Sequence, residues 1–205
     1  GKFPEFQFVS EEQTNQNADF TDDKISVIID PIDGTAMFSM HLPIWCVSIG
    51  IFRGYTPLYG FVCSPGSDLL FYTDNQHSYL NGNKLTSNII TVIEKETNIF
   101  YSSEIRDLKV KFPGKIRNLG STALHACLTA DNSRNRLLAF IGRSYLWDWA
   151  GAIPVILKAG VKIRYLNGRE LDFKAIVNNN FEFEDYAVAY NAENFEIIKN
   201  IFNRS

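Results

Sequence analysis

The stretch Ile25-Ser26-Val27-Ile28-Ile29-Asp30-Pro31-Ile32-Asp33-Gly34-Thr35 governs how the rest of the chain is read. Its first five residues are a β-branched run broken only by Ser26, the pattern of a buried strand. Proline has no N–H for a sheet ladder, so the strand is expected to stop at Asp30-Pro31. Pro31 fixes φ and Gly34 permits a tight reversal, which together predict a strand-to-helix turn. That turn sets Asp30 and Asp33 three residues apart, with the Ile32 carbonyl beside them. Mixed carboxylate and carbonyl oxygens suit Mg2+ or Mn2+ rather than zinc, and no His or Cys competes nearby. Gly34 and Thr35 open a short helix whose free N–H groups suit phosphate oxygens. The same Asp-Pro-x-Asp-Gly pattern is also a common surface turn.

A second acidic motif, Trp147-Asp148-Trp149-Ala150-Gly151, opens an apolar helix expected over 149–158. Asp148 reads as the N-cap of that helix or as a third carboxylate for the same cation, and the two roles are compatible. Trp147 and Trp149 read as core residues. Pro154 falls inside the helix and predicts a kink, while Gly160 is a natural C′ residue. Glu11 and Glu12 close the first strand, near enough in the expected sheet for one of them to reach Asp30. His41, His77 and His125 stand alone and read as structural or surface residues. Lys109, Lys111, Lys115 and Arg117 form a basic stretch, either a solvated face or a steering surface for an anionic substrate.

The bulk properties are consistent with this. The chain has 205 residues, 45% of them hydrophobic, and a net charge of −3. That is enough chain to bury a core, and the charge argues against a binder of nucleic acid polymers. Cys46, Cys63 and Cys127 lack metal-ligand spacing and read as reduced thiols. No apolar run is long enough to span a membrane.

Strands are expected at 5–9, 25–29, 45–53, 58–63 and 68–73, with polar Gln13 to Asp23 as a loop and Asn81-Gly82 as a tight turn. Residues 1–95 thus read as an antiparallel-sheet α+β part carrying the first acidic motif. Residues 96–205 read as an α/β part carrying the Trp-Asp motif, with strands at 97–101, 115–118, 136–141, 161–165 and 186–189 and helices at 122–130, 149–158 and 193–202. Phe6, Phe8, Val27, Ile29, Val47, Ile49 and Ile51 predict an apolar sheet face in need of cover. The cover is expected from helices upstream or from a partner.

Phe8-Val9-Ser10-Glu11-Glu12, Asp30-Pro31-Ile32-Asp33-Gly34-Thr35 and Trp147-Asp148-Trp149-Ala150-Gly151, in that order, resemble the inositol monophosphatase family. The stretch 25–52 and the run Arg117-Asn118-Leu119-Gly120-Ser121-Thr122-Ala123 resemble it as well. The resemblance implies a layered α-β-α-β sandwich of the inositol monophosphatase and fructose-bisphosphatase type, with the first helical layer absent from this chain. It implies a Mg2+-dependent (or Mn2+-dependent) phosphomonoesterase that hydrolyses a small sugar or inositol phosphate by in-line attack of a metal-activated water. Glu11, Asp30, the Ile32 carbonyl, Asp33 and Asp148 would be metal ligands, and Glu11, Thr35 and Asp33 catalytic. Gly34, Thr35, Gly120, Ser121 and Thr122 would bind substrate. A cytoplasmic homodimer with no membrane partner is implied too. The chain departs from the family at Ile141, where inositol phosphatases carry a glutamate for substrate hydroxyls. Arg143 is close by and suited to a second phosphate. Bisphosphate nucleotidase or fructose-1,6-bisphosphatase activity is therefore an alternative, as is a catalytically weak member serving in metal binding or protein interaction. Asp33→Asn is expected to abolish turnover in a folded protein.

Overall fold

The computed structural model describes residues 6–12, 20–21 and 23–204. Most of the loop expected over 13–23, and residue 5 of the first expected strand, lie outside the described residues. Seven strands form one sheet in chain order: β1 (Phe6–Ser10), β2 (Ile25–Asp33), β3 (Cys46–Arg53), β4 (Thr56–Ser64), β5 (Leu69–Thr73), β6 (Ser78–Leu80) and β7 (Asn83–Leu85). Neighbours are antiparallel except β1 and β2, which run parallel with Phe8 opposite Val27. The wholly antiparallel expectation fails there, because hydrophobic runs fix a strand's faces and not its direction. Asn81 (φ 48°) and Gly82 (φ 83°) form the turn between β6 and β7, the two positive φ values a tight hairpin requires.

The strand carrying the first acidic motif does not stop at Pro31. It runs to Asp33 through a bulge, with Asp30 opposite Ser48 and Asp33 opposite Cys46. Three residues on β2 thus advance against two on β3, placing one extra residue at Pro31-Ile32. In a regular strand, positions three apart face opposite sides. The bulge turns Asp33 to the side of Asp30, and both are buried.

A second sheet has the order β10-β8-β11-β13-β12, formed by β8 (Asn98–Tyr101), β10 (Lys115–Arg117), β11 (Leu137–Gly142), β12 (Lys162–Tyr165) and β13 (Ala187–Tyr190). β10, β8 and β11 are mutually parallel, β13 runs antiparallel to β11, and β12 runs antiparallel to β13 and so in the direction of the other three. β9 (Leu108–Val110) pairs with β14 (Phe202–Arg204) separately. Between the two large sheets pack α2 (Thr122–Ala130), α4 (Leu146–Ala150) and α5 (Ala152–Lys158). One apolar cluster runs from Val9 and Ile28 through Trp149 and Ile153 to Phe140 and Ala189, joining all three layers. α7 (Phe195–Ile201) covers the far face of the five-stranded sheet through Ile198 and Ile201. α1 (Thr35–Ser39), α3 (Asn132–Asn135) and α6 (Phe173–Asn178) complete the α-helices among the described residues.

The helix expected over 149–158 is two helices broken at Gly151, and it starts earlier, at Leu146. Pro154 lies in the first turn of α5, where an N–H has no intrahelical acceptor, so it breaks no bond. The break has a packing cause. A Cβ on Gly60 would overlap the Gly151 carbonyl oxygen, and one on Gly50 the Ala150 carbonyl. The glycine column of β3 and β4 lets the helix backbone lie directly on the sheet backbone.

On the opposite face of the seven-stranded sheet, Val27, Ile29, Val47, Ile49 and Ile51 stay half-buried, and Phe8, Phe61 and Leu70 are exposed. No helix among the described residues is long and apolar enough to cross a membrane.

Candidate active site

The three carboxylates reach one point from two layers. Asp30 and Asp33 descend from the β2 bulge, and Asp148 stands in the first turn of α4. Each offers an oxygen, and these oxygens all lie within 4.8 Å of one another. Asp148 is not the N-cap. That position belongs to Tyr145, whose backbone N–H donates to Asp148 Oδ2 at 2.9 Å, so Asp148 closes a capping box from the third helical position.

Asp33 is the most constrained of the three. Its Oδ2 accepts from the Ser121 hydroxyl, from the Ala123 N–H at 2.7 Å and from the Cys46 thiol at 3.6 Å. Its Oδ1 takes only a long bond, 3.2 Å, from the Thr122 N–H. The first turn of α2 therefore donates to a carboxylate from another layer, with the positive end of the helix dipole toward it. Ser121, the N-cap of α2, also accepts from the Leu124 N–H at 3.2 Å. Asp30 Oδ1 accepts from the Ile32 N–H at 2.9 Å, whereas its buried Oδ2 has no hydrogen-bond donor.

The electrostatics follow from crowding acids in a dry place. Burial, then the charges of Asp33, Asp148 and Glu11, push the Asp30 carboxyl up to about 9. Burial and the charge of Asp33 raise Asp148 to about 7. Burial raises Asp33 as well, against the opposing bonds from Ser121 and the α2 backbone. Like charges without compensation make each ionisation harder. A divalent cation would remove that penalty, and the donor set is all oxygen, with one buried oxygen lacking any other partner. The residues fit Mg2+ or Mn2+.

A cleft of about 220 Å3 opens over this point. It is lined by every residue that the family resemblance gave a role in the site, Glu11, Asp30, Ile32, Asp33, Gly34, Thr35, Gly120, Ser121, Thr122 and Asp148, and by Arg143, but not by Glu12 or the basic stretch from Lys109 to Arg117. Gly34 needs its left-handed φ of 91°, and a Cβ there would lie 3.2 Å from the carbonyl oxygens of Gly120 and Ile44. Arg143 is engaged at two of its three guanidinium nitrogens. Its Nε donates to the Phe183 carbonyl and its Nη2 to Glu182 Oε1, both at 3.0 Å.

Sequence reasoning missed Ser102, Ser103, Glu104, Asn118 and Ser144, which line the same cleft. Their signal is topological: they follow the C-terminal ends of β8, β10 and β11, the parallel strands, where open sheets place ligands. His125 also lines the cleft but is structural. It is buried between Phe100 and Phe140, its Nε2 accepts the Leu119 N–H, and burial holds its pKa down at about 3.

The family model of the inositol monophosphatases matches residues 1–195. Inositol monophosphatase 1 of Solanum lycopersicum is 32% identical over 185 residues, covering 83% of this chain and 67% of that protein. The fructose-1,6-bisphosphatase/inositol-1-monophosphatase of Thermococcus kodakarensis is 30% identical over 171 residues, 81% of this chain and 64% of that protein. Among solved structures, the Ca-bound IMPase family protein of Staphylococcus aureus superposes with a TM-score of 0.77 at 18% identity. It covers 98% of this chain and 77% of its own, and the likeness establishes the fold.

Proposed function

The chain belongs to the inositol monophosphatase family, a family of phosphatases, and from that premise we propose that it hydrolyses a phosphate monoester of a compact polyol. The observation that carries the proposal is the carboxylate triad. Three acids converge within 4.8 Å, and one buried oxygen among them, Asp30 Oδ2, has no donor. Asp30, Asp33 and Asp148, with the Ile32 carbonyl and Glu11, would hold the Mg2+ or Mn2+. When bound, the cation supplies charge neutralisation for the phosphate and lowers the pKa of a coordinated water.

The chain's own groups do the rest. Glu11, exposed at the rim, accepts a proton from the attacking water, and the Thr35 hydroxyl fixes that water's orientation. The first-turn N–H groups of α1, lacking intrahelical acceptors, hold phosphate oxygens. Gly120, Ser121 and Thr122 stand beside the departing alcohol, with Asn118, whose Oδ1 accepts the Gly120 N–H at 2.7 Å, on the same wall and Glu104 as a further hydrogen-bonding partner for its hydroxyls. Asp33 also positions, because it locks the α2 N-terminus against β2.

A single phosphate suits this cleft better than two. Its lining holds the carboxylates of Glu11, Asp30, Asp33, Glu104 and Asp148 against one cation, Arg143, which is already paired with Glu182. Apart from the bound cation, a second phosphate would find only Arg143, shared with Glu182. Homodimerisation and a cytoplasmic location belong to the same proposal, and light scattering tests the first.

The direct test is phosphate release from inositol 1-phosphate, fructose 1,6-bisphosphate, 3′-phosphoadenosine 5′-phosphate and an aryl phosphate, with Mg2+ and with chelator. Mg2+-dependent turnover led by the inositol ester supports the proposal. Preference for either bisphosphate overturns the substrate class. Mg2+ binding without turnover on any of the four overturns the activity.

A further inference from the structure

β10, β8 and β11 deliver the cleft at their C-terminal ends, and a different surface lies at their beginnings. There a groove of about 330 Å3 is lined by Lys115, Arg117, Arg134 and Arg136, with Glu96, Asn98, Asn135 and Phe100. We propose that this groove is a second anion site, which binds a small phosphoryl anion independently of the metal cleft.

The charge balance is the first argument. Four cations line the groove. Lys115 pairs with Glu96, and Arg136 with Glu94 at 2.5 Å. Arg117 has a neutral partner, its Nε donating to Asn98 Oδ1 at 2.7 Å. Arg134 has no carboxylate within ion-pair distance among the described residues; its nearest acidic influence is Asp131. Among the described residues, then, two of the four cations, Arg117 and Arg134, have no carboxylate in direct contact, on a chain whose net charge is −3. Cations gathered in a concave surface with a low-dielectric floor attract anions more strongly than the same cations spread out. Phe100, buried, supplies that floor.

Construction is the second argument. The three strand beginnings are tied by backbone bonds from the Asn98 N–H to the Arg136 carbonyl at 3.0 Å and from the Lys115 N–H to the Thr97 carbonyl at 2.8 Å. Asn98 Nδ2 donates to the Asn135 and Glu96 carbonyls at 2.7 and 3.0 Å, so its Oδ1 is aimed at Arg117. That bond engages Nε and leaves both terminal nitrogens of the Arg117 guanidinium for a ligand, the arrangement that grips phosphoryl oxygens in pairs. Arg136 holds φ 51° at the C-cap of α3, where glycine or asparagine is the least strained choice.

The groove and the metal cleft are separated by roughly 10 Å, the length of a strand of three to four residues. Without a divalent cation the cleft is lined by acids and repels anions, so metal-free protein isolates the new site. The experiment is titration of chelator-treated protein with inorganic phosphate at low ionic strength, followed by backbone amide NMR. Saturable shifts centred on Lys115, Arg117, Arg134 and Arg136 are expected. Arg134→Glu should weaken the apparent Kd by about tenfold or more, as for loss of a charge-assisted bond plus an added repulsion. Asp33→Asn should leave it unchanged, which separates this site from the proposed phosphatase activity. Non-saturable shifts, shifts centred on Asn118 to Thr122, or an Arg134→Glu protein that binds as before would each overturn the proposal. So would phosphate-sensitive doubling of mass, which would assign the groove to a second copy of the chain.

Discussion

Ser48, in the middle of β3, accepts the Gly151 N–H at 3.2 Å and donates to the Trp147 carbonyl at 3.4 Å. One buried hydroxyl thereby satisfies both sides of the break between α4 and α5, and Asp148 sits between its two partners. The sheet residue opposite Asp30 in the ladder is this same Ser48. The carboxylates from the two layers are thus registered through a single serine.

Ser48→Ala should lower stability by about 1 kcal/mol, or roughly 2–4 °C in melting temperature for a chain of this size. Mg2+ affinity should fall as well, because Asp148 loses its registration. Calorimetry with and without Mg2+ measures both. Gly60→Ala should be worse, costing on the order of 2 kcal/mol or more, since a methyl there overlaps the Gly151 carbonyl oxygen.

Asp33→Asn should reduce turnover by about a thousandfold or more, the scale of losing charge stabilisation at a reacting phosphate. It should also lower stability while leaving the protein folded, as expected from sequence. Four donors converge on Asp33, and an amide would present an N–H2 to at least one of them, at about 1–3 kcal/mol. Denaturant titration beside kinetics separates the two effects.

Metal-free protein should melt at lower temperature as the pH rises from about 5 to 9. A carboxyl with a raised pKa holds its proton more tightly in the folded state than in the unfolded chain, where carboxyls titrate near about 4. That stabilisation is complete below the unfolded value. It is lost as the pH climbs through about 7 at Asp148 and about 9 at Asp30. Mg2+ should therefore raise the melting temperature more at pH 8 than at pH 5, and Asp30→Asn should flatten both trends. Scanning fluorimetry across pH checks the slopes.

Glu104→Gln should raise KM for inositol 1-phosphate by about tenfold, as expected for one hydrogen bond to a charged acceptor. Hydrolysis of an aryl phosphate, which offers no hydroxyls, should be unchanged. A loss shared equally by both substrates would show that Glu104 only supports the loop after β8.

The acidic motifs were legible because their chemistry is local: Pro31 and Gly34 announce a backbone irregularity, and Asp148 precedes an apolar helical run. What the irregularity achieves was not legible. Strand periodicity alone sends Asp30 and Asp33 to opposite faces, and only the pairing with β3 reveals the extra residue. The pairing of Arg143 with Glu182 was not legible, because the two are remote in sequence. The kink expected at Pro154 is instead a break at Gly151, because the glycine column beneath it lies on strands about a hundred residues earlier. The far wall of the cleft has no motif and follows from strand direction, which hydrophobic pattern does not encode.

The cleft joins a stiff floor to a pliant rim. Asp33 is clamped by α2 and Asp30 is set in the ladder, whereas Glu11 projects exposed from the turn after β1. A cation seated there would meet three acids that cannot retreat and one that can. The position of the cation would then be set by the floor, and only Glu11 would have room to adjust to it.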